Sequence, residues 1–197
     1  MDHVRSEWHV TGTNVTWGFR GGGRTTCRGK SRGDGWDRYT NSIEALAAHI
    51  KQPQFPELLR CFLYGQLNPG MEISPDDVPL DQCPAVNGRI LVYHSAVARF
   101  FAPSDLCGAG GMYQERIHSN PNWNDEYSRY DTVFVETGAG QGAMKGLVIG
   151  CIWLFFSFVN DRKYYPCALV EWLIPLSDPD EDTRMWVVRP EFHGNGR

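Results

Sequence analysis

The stretch from Leu147 to Val159, LVIGCIWLFFSFV, carries no charge, and Asn160-Asp161-Arg162-Lys163 follows it at once. It falls short of the roughly 20 apolar residues that span a bilayer. A second apolar run, YYPCALVEW from Tyr164 to Trp172, begins after the polar break. The pair reads as a long β-hairpin with a four-residue turn. Both faces of its first strand are apolar, so something must cover each face, and a helical hairpin on one side is the natural candidate. Pro166 has no N–H to give a ladder, which places it at an edge or a bulge.

That helical hairpin is readable upstream. Asn41 is positioned to cap a helix, with Glu44 three residues on as its reciprocal partner. Ile43, Leu46, Ala47 and Ile50 then form one apolar stripe, and Pro53 ends it. Pro56 opens a second helix, where its missing N–H is harmless, and Leu59, Phe62, Leu63 and Leu67 line that helix until Asn68-Pro69-Gly70 stops it. His49 sits beside the first stripe as a boundary residue. Residues 68–89 hold four prolines and read as a long loop, whose Asp76, Asp77 and Asp81 lack calcium-loop spacing.

From Arg89 the period shifts to two. Ile90–Tyr93 and Val97–Phe101 read as strand with a bend near Ser95, and Tyr130–Val135 and Met185–Val188 as further strands. The expected fold is α+β: a helical hairpin (41–68) packed on a β-rich part (89–192). About five strands would make a small antiparallel barrel or curled sheet.

Residues 1–40 differ from the rest. They hold seven Lys/Arg against four Asp/Glu and eight of the 21 glycines, while the whole chain has a formal net charge of −4. Glycine is entropically costly to order, so this part reads as a flexible Gly/Arg-rich tail. Its Gly29-Lys30-Ser31 fails as a phosphate-binding loop, because Arg24 stands where the motif needs glycine. Arg20, Arg24, Arg28, Lys30 and Arg32 can still meet phosphates without sequence preference. The overall acidity argues against a whole-surface polyanion binder.

Six cysteines lack paired zinc spacing, and the start MDHVRSEW has no signal-peptide core, so reduced thiols and an intracellular setting, nucleus or cytoplasm, are expected. The chain carries no nucleophile signature, and the loop GAGQGAMKG fails the dinucleotide fingerprint. His94 and Ser95 are adjacent in a strand and face opposite sides. No cofactor and no catalytic residue is expected. The alternative is a metal-dependent nuclease or transposase fragment using Asp131, Glu171 and Asp180. Trp153, Phe155, Trp172 and Trp186 read as core. Tyr130, Tyr164 and Tyr165, near strand ends, read as a binding rim, with Arg162, Lys163 and Arg189 supplying positive charge.

From Ile43 onward the strings SIEALAAHIKQPQFPELLRCFLYGQLNP, DDVPLDQCP, RFFAPSDLCGAGGMYQERI, YDTVFVET, LFFSF, YPCALVEWL and PDEDTRMWVVRPEF stand in order. They resemble the C-terminal region of reading frames of Plavaka and Kyakuja-Dileera-Zisupton DNA transposons of mushroom-forming fungi. The resemblance implies a fungal mobile-element relic and no activity, since the family's transposase core lies upstream of this region. Two features depart from it: the Gly/Arg stretch before Trp36, which resembles a changed reading frame or new exon, and the stop at EFHGNGR, which looks like that of a fragment. The order YDTVFV, apolar strand, CALVEW, VVRPEF also resembles a bromo-adjacent-homology or Tudor-like barrel, which implies contact with chromatin proteins or modified histone tails. The expected function is a non-catalytic accessory module contacting DNA or a chromatin protein, with no membrane partner and with the rest of its parent protein missing. A relic without biochemical role is the third possibility.

Overall fold

A computed structural model of the chain describes residues 8–12, 26–27, 42–70, 75–101, 112–123, 126–136 and 147–191. The described residues form an α+β fold of two helices and two antiparallel sheets.

Helix α1 (Ile43–His49) is capped by Ser42, whose Oγ accepts from the Ala45 amide at 3.4 Å and donates to Glu44 at 2.6 Å. The cap therefore falls one residue after the expected Asn41, which lies outside the described residues. Helix α2 (Phe55–Leu67) starts with Pro56 in its first turn and ends where the Asn68 side chain donates to the Tyr64 carbonyl. The loop after it is fastened to α2. Arg60 donates through Nη2 to the carbonyls of Leu80 and Cys83, and Pro75 lies so close to Gly65 that a Cβ there would meet its Cγ at 2.7 Å.

The described residues hold ten strands, in chain order β1 (Trp8–Gly12) and β2 (Thr26–Cys27) before the helices, then β3 (Leu91–Tyr93), β4 (Ser95–Phe101), β5 (Met112–Trp123), β6 (Tyr127–Tyr130), β7 (Thr132–Glu136), β8 (Leu147–Asn160), β9 (Lys163–Pro175) and β10 (Val188–Pro190). The larger sheet is built on the β8–β9 hairpin. β1 and β10 pair along the outer edge of β9, and β3 and β7 along the outer edge of β8. The smaller sheet runs β2-β4-β5-β6. At two of the crossings between the sheets a single residue joins the strands: His94 between β3 and β4, and Asp131 between β6 and β7.

Several expectations change. Among the described residues the sheets do not close into a barrel, because the strands divide into two sheets with separate edges. The hairpin turn has two residues, Asp161 and Arg162, since Asn160 pairs with Lys163. Both turn residues adopt positive φ, 47° and 63°, the sense that matches strand twist in two-residue hairpins. The long strand β5 was not among the expected strands, and the last strand lies at Val188–Pro190 rather than Met185–Val188. Within the expected tail, β1 joins the larger sheet and β2 the smaller. Arg20, Arg24, Arg28, Lys30 and Arg32 lie outside the described residues.

The charge-free run solves its packing problem with a bulge. Ile152 pairs with Val170 and Leu154 with Leu169, so Trp153 is an extra residue with no opposite number. An extra residue reverses which face each later side chain takes. Before it, Val148 and Ile152 face one core. After it, Leu154, Phe156 and Phe158 face the other, where Leu46, Phe55, Leu59 and Leu63 of the helices meet them. Phe55 stands edge-on to Phe156 at 5.3 Å. The opposite face carries Ile152, Phe155, Ala168 and Val170 against Ala96, Ala98 and Ile117 of the smaller sheet. The result is a helix–sheet–sheet stack with both faces of β8 covered.

Candidate functional site

The residues expected to form a rim fall in three separate places. Arg162, Lys163 and Tyr164 are exposed at the tip of the β8–β9 hairpin, where the Tyr164 hydroxyl lies 3.3 Å from that of Tyr93. Tyr165, beside them in sequence, is only 4% exposed. It is core, stacked on Phe158 at 5.1 Å, with Lys163 Nζ over its ring at 4.9 Å. Arg189 pairs opposite Ile174, eleven residues along β9 from Lys163. That is about 36 Å of extended strand. Tyr130 is half-buried and stacks on the bulge residue Trp153 at 4.7 Å, and Trp153 in turn donates its indole N–H to Glu171 at 3.2 Å. Burial, with a smaller contribution from Cys151, raises the Tyr130 pKa. These tyrosines and cations do not converge.

The carboxylates of the nuclease alternative do not converge either. Asp131 is held by His118 and Arg129, Glu171 by Trp153, and Asp180 by the amides of Asp182 and Thr183 and the Thr183 hydroxyl. Among the described residues no three His, Cys, Asp or Glu side chains are grouped to hold a metal ion.

Instead, polar and aromatic side chains gather on the outer face of the smaller sheet. Its inner face is fixed by Ala96, Ala98 and Ile117, which belong to the core, so Ser95, Arg116 and His118 face outward. Asn120 pairs with Arg129 and Trp123 with Tyr127, so β5 spends one more residue than β6 between these pairs. This second bulge falls at Pro121-Asn122, where the Asn120 side chain accepts from the Asn122 amide at 3.0 Å. Proline cannot donate to a ladder and suits a bulge. The reversal brings Trp123 to the same face as His118, and Tyr127 shares that face with Arg129, two residues on.

Contacts lock the group together. Asp131 accepts from the His118 amide at 2.8 Å, from His118 Nδ1 at 3.0 Å and from Arg129 Nε at 3.0 Å. Burial acts to raise the Asp131 pKa, but the Arg129 and His118 hydrogen bonds outweigh it, and the carboxyl sits below its ordinary value. An ionised acceptor assigns a proton to His118 Nδ1. The Arg129 guanidinium lies 4.7 Å over the Trp123 ring, and the His118 ring meets that indole edge-on at 4.7 Å. Arg116 donates to Ser95 Oγ at 3.2 Å. Tyr127 is 57% exposed.

This arrangement fixes one guanidinium by its Nε and by one of its planes. Among the described residues its terminal NH₂ groups have no hydrogen-bond partner, and guanidinium NH₂ groups suit an anion. Sequence reading missed Arg116, His118, Trp123, Tyr127 and Arg129. The alternation Tyr127, Arg129 and the turn-like Asn120-Pro121-Asn122 were the available signals. Comparison of the chain with protein-family models, with curated proteins and with solved structures finds no match. Among the described residues no helix is long and apolar enough to cross a membrane.

Proposed function

We propose that the chain is a non-catalytic accessory module of a transposon-derived protein, working in the nucleus or cytoplasm by contacting nucleic acid or chromatin. The observation that carries the reading is the Arg129 guanidinium, stacked on Trp123 and anchored to Asp131, 39% exposed, with no hydrogen-bond partner for its terminal NH₂ groups among the described residues. Arginine forks pair with phosphate, and stacked arginine loses little freedom on doing so. Arg116 on the same face adds a second positive charge. The transposon resemblance supports this setting. The bromo-adjacent-homology likeness belongs to the same reading: YDTVFV, the apolar strand, CALVEW and VVRPEF supply β7, β8, β9 and β10, all in one sheet.

Fluorescence anisotropy with labelled DNA, RNA and histone-tail peptides tests the reading, starting at about 50 mM salt, where phosphate contacts are strongest. A saturable rise that weakens as salt is added is expected for a nucleic acid. No rise with any probe would leave a relic without biochemical role.

A further inference from the structure

We infer that the ligand of the outer face of the smaller sheet is a single-stranded nucleic acid, with bases stacked on Tyr127 and on the outer plane of Arg129. The inference rests on the nucleic-acid reading above and narrows it to one class.

Aromatic rings and guanidinium planes bind bases through their faces, and a base offers a free face only when it is not stacked inside a duplex. Two such surfaces lie side by side on β6. The Tyr127 ring is exposed, directly across from Trp123, and makes no ring contact among the described residues. Arg129 stands two residues further on the same face, its inner plane on Trp123. Successive outward side chains of a strand are spaced by about 6.6 Å, so the two stacking positions are separate and neither blocks the other.

Among the side chains described on this face, two are arginines, Arg116 and Arg129, and the Nε of Arg129 is committed to Asp131. Two phosphate contacts to a single strand give a slope of log affinity against log salt of about −1.4. Five contacts through the cations at residues 20–32 would give a slope of about −3.5. Stacking on Tyr127 and Arg129 adds a salt-insensitive contribution that only unpaired bases can make, whereas the affinity of a duplex binder comes mainly from phosphates.

The experiment compares a labelled single-stranded DNA and RNA oligonucleotide with the matching duplex, using the full chain across a salt series. Wild type is set against Tyr127→Ala, Tyr127→Phe and Arg116→Gln. Single strands should bind more tightly than the duplex, with the shallow slope. Tyr127→Ala should weaken single-strand binding on the order of 5- to 100-fold, the range for losing one stacked base, and Tyr127→Phe should restore it. Tyr127 is exposed, so far-ultraviolet circular dichroism should show an unchanged fold in its variants. Duplex binding as tight as single-strand binding overturns the inference but leaves nucleic-acid contact standing. So does an unchanged affinity in Tyr127→Ala, or the steep slope of tail-driven binding. Binding confined to histone peptides overturns the inference and leaves only the chromatin half of the reading. No binding to any probe removes both.

Discussion

His118 donates twice to one oxygen of Asp131: its backbone amide reaches Oδ2 at 2.8 Å and its ring Nδ1 reaches the same atom at 3.0 Å. The other oxygen takes Arg129 Nε. Asp131 is also the residue at which the chain leaves β6 for β7, and its carbonyl accepts from Ile152 in the bulged part of β8. One carboxylate therefore joins the candidate binding face to the passage between sheets. Stability and binding should respond together when it is changed.

Asp131→Asn keeps the side-chain size and removes the charge. Hydrogen bonds to a charged group contribute about 1.5–3 kcal/mol, and the amide still accepts through one oxygen, so a loss of about 1–3 kcal/mol is expected in urea unfolding at pH 7. Freed from its anchor, Arg129 should lose its fixed orientation, and single-strand affinity should fall with it. Wild-type stability and unaltered binding would show that the anchor matters for neither.

The same group sets a pH dependence. The Asp131 pKa is below the ordinary 3.8 in the folded chain, so folding favours the ionised form. Its stabilising contribution is complete above the unfolded value and is lost as pH falls through the lower folded value. Urea midpoints of wild type and Asp131→Asn should differ most at pH 6–7 and approach one another below about pH 4. A constant gap down to pH 3 would contradict the assignment.

Gly150 supports the contact between the hairpin strands. A Cβ at this position would stand 2.5 Å from Val170 Cγ1 and 3.0 Å from Trp172 Cζ3. Both neighbours are packed in or against the core shared with the smaller sheet, so neither can move freely. Gly150→Ala should cost about 1–3 kcal/mol by overpacking. Adding Val170→Ala removes the nearer obstruction, and a double-mutant cycle should show a favourable coupling between the two sites. Simple additivity would mean that Trp172, not Val170, takes the strain.

What was legible in the sequence follows from how local each signal is. The two helices and the β8–β9 hairpin are set by periodicity and by proline, and they appear where those signals put them. β5 was hidden because Asn120-Pro121-Asn122 carries turn chemistry, which the structure uses for a bulge inside a strand. The face that each tryptophan takes was hidden for a related reason. Trp123 follows an extra residue in β5 and Trp153 is itself the extra residue in β8, and an alternation count carried through a bulge assigns every later side chain to the wrong side. Tyr165 was misjudged for a different reason: nearness to a strand end suggested a rim, yet it is packed beneath α2, edge-on to Phe62 at 6.5 Å. The pairing of Arg129 with Trp123 depends on the register of β6 against β5, which nothing in the local sequence specifies.

The hairpin tip separates the two possible binding surfaces in one experiment. Asp161 and Arg162 hold φ of 47° and 63°, a region costly for residues with a Cβ, and the two-residue turn favours Asn-Gly. The double variant Asp161→Asn, Arg162→Gly should raise stability by about 0.5–1 kcal/mol by relieving that strain, measured as an upward shift in the urea midpoint. It also deletes one of the cations first expected at a rim. If the outer face of the smaller sheet is the binding surface, single-strand affinity should be unchanged in this stabilised variant, because Arg162 lies in the hairpin turn of the other sheet. A drop of tenfold or more, about 1.4 kcal/mol, would instead move the nucleic-acid contact to the tip, with Lys163 and Tyr164 as its remaining members.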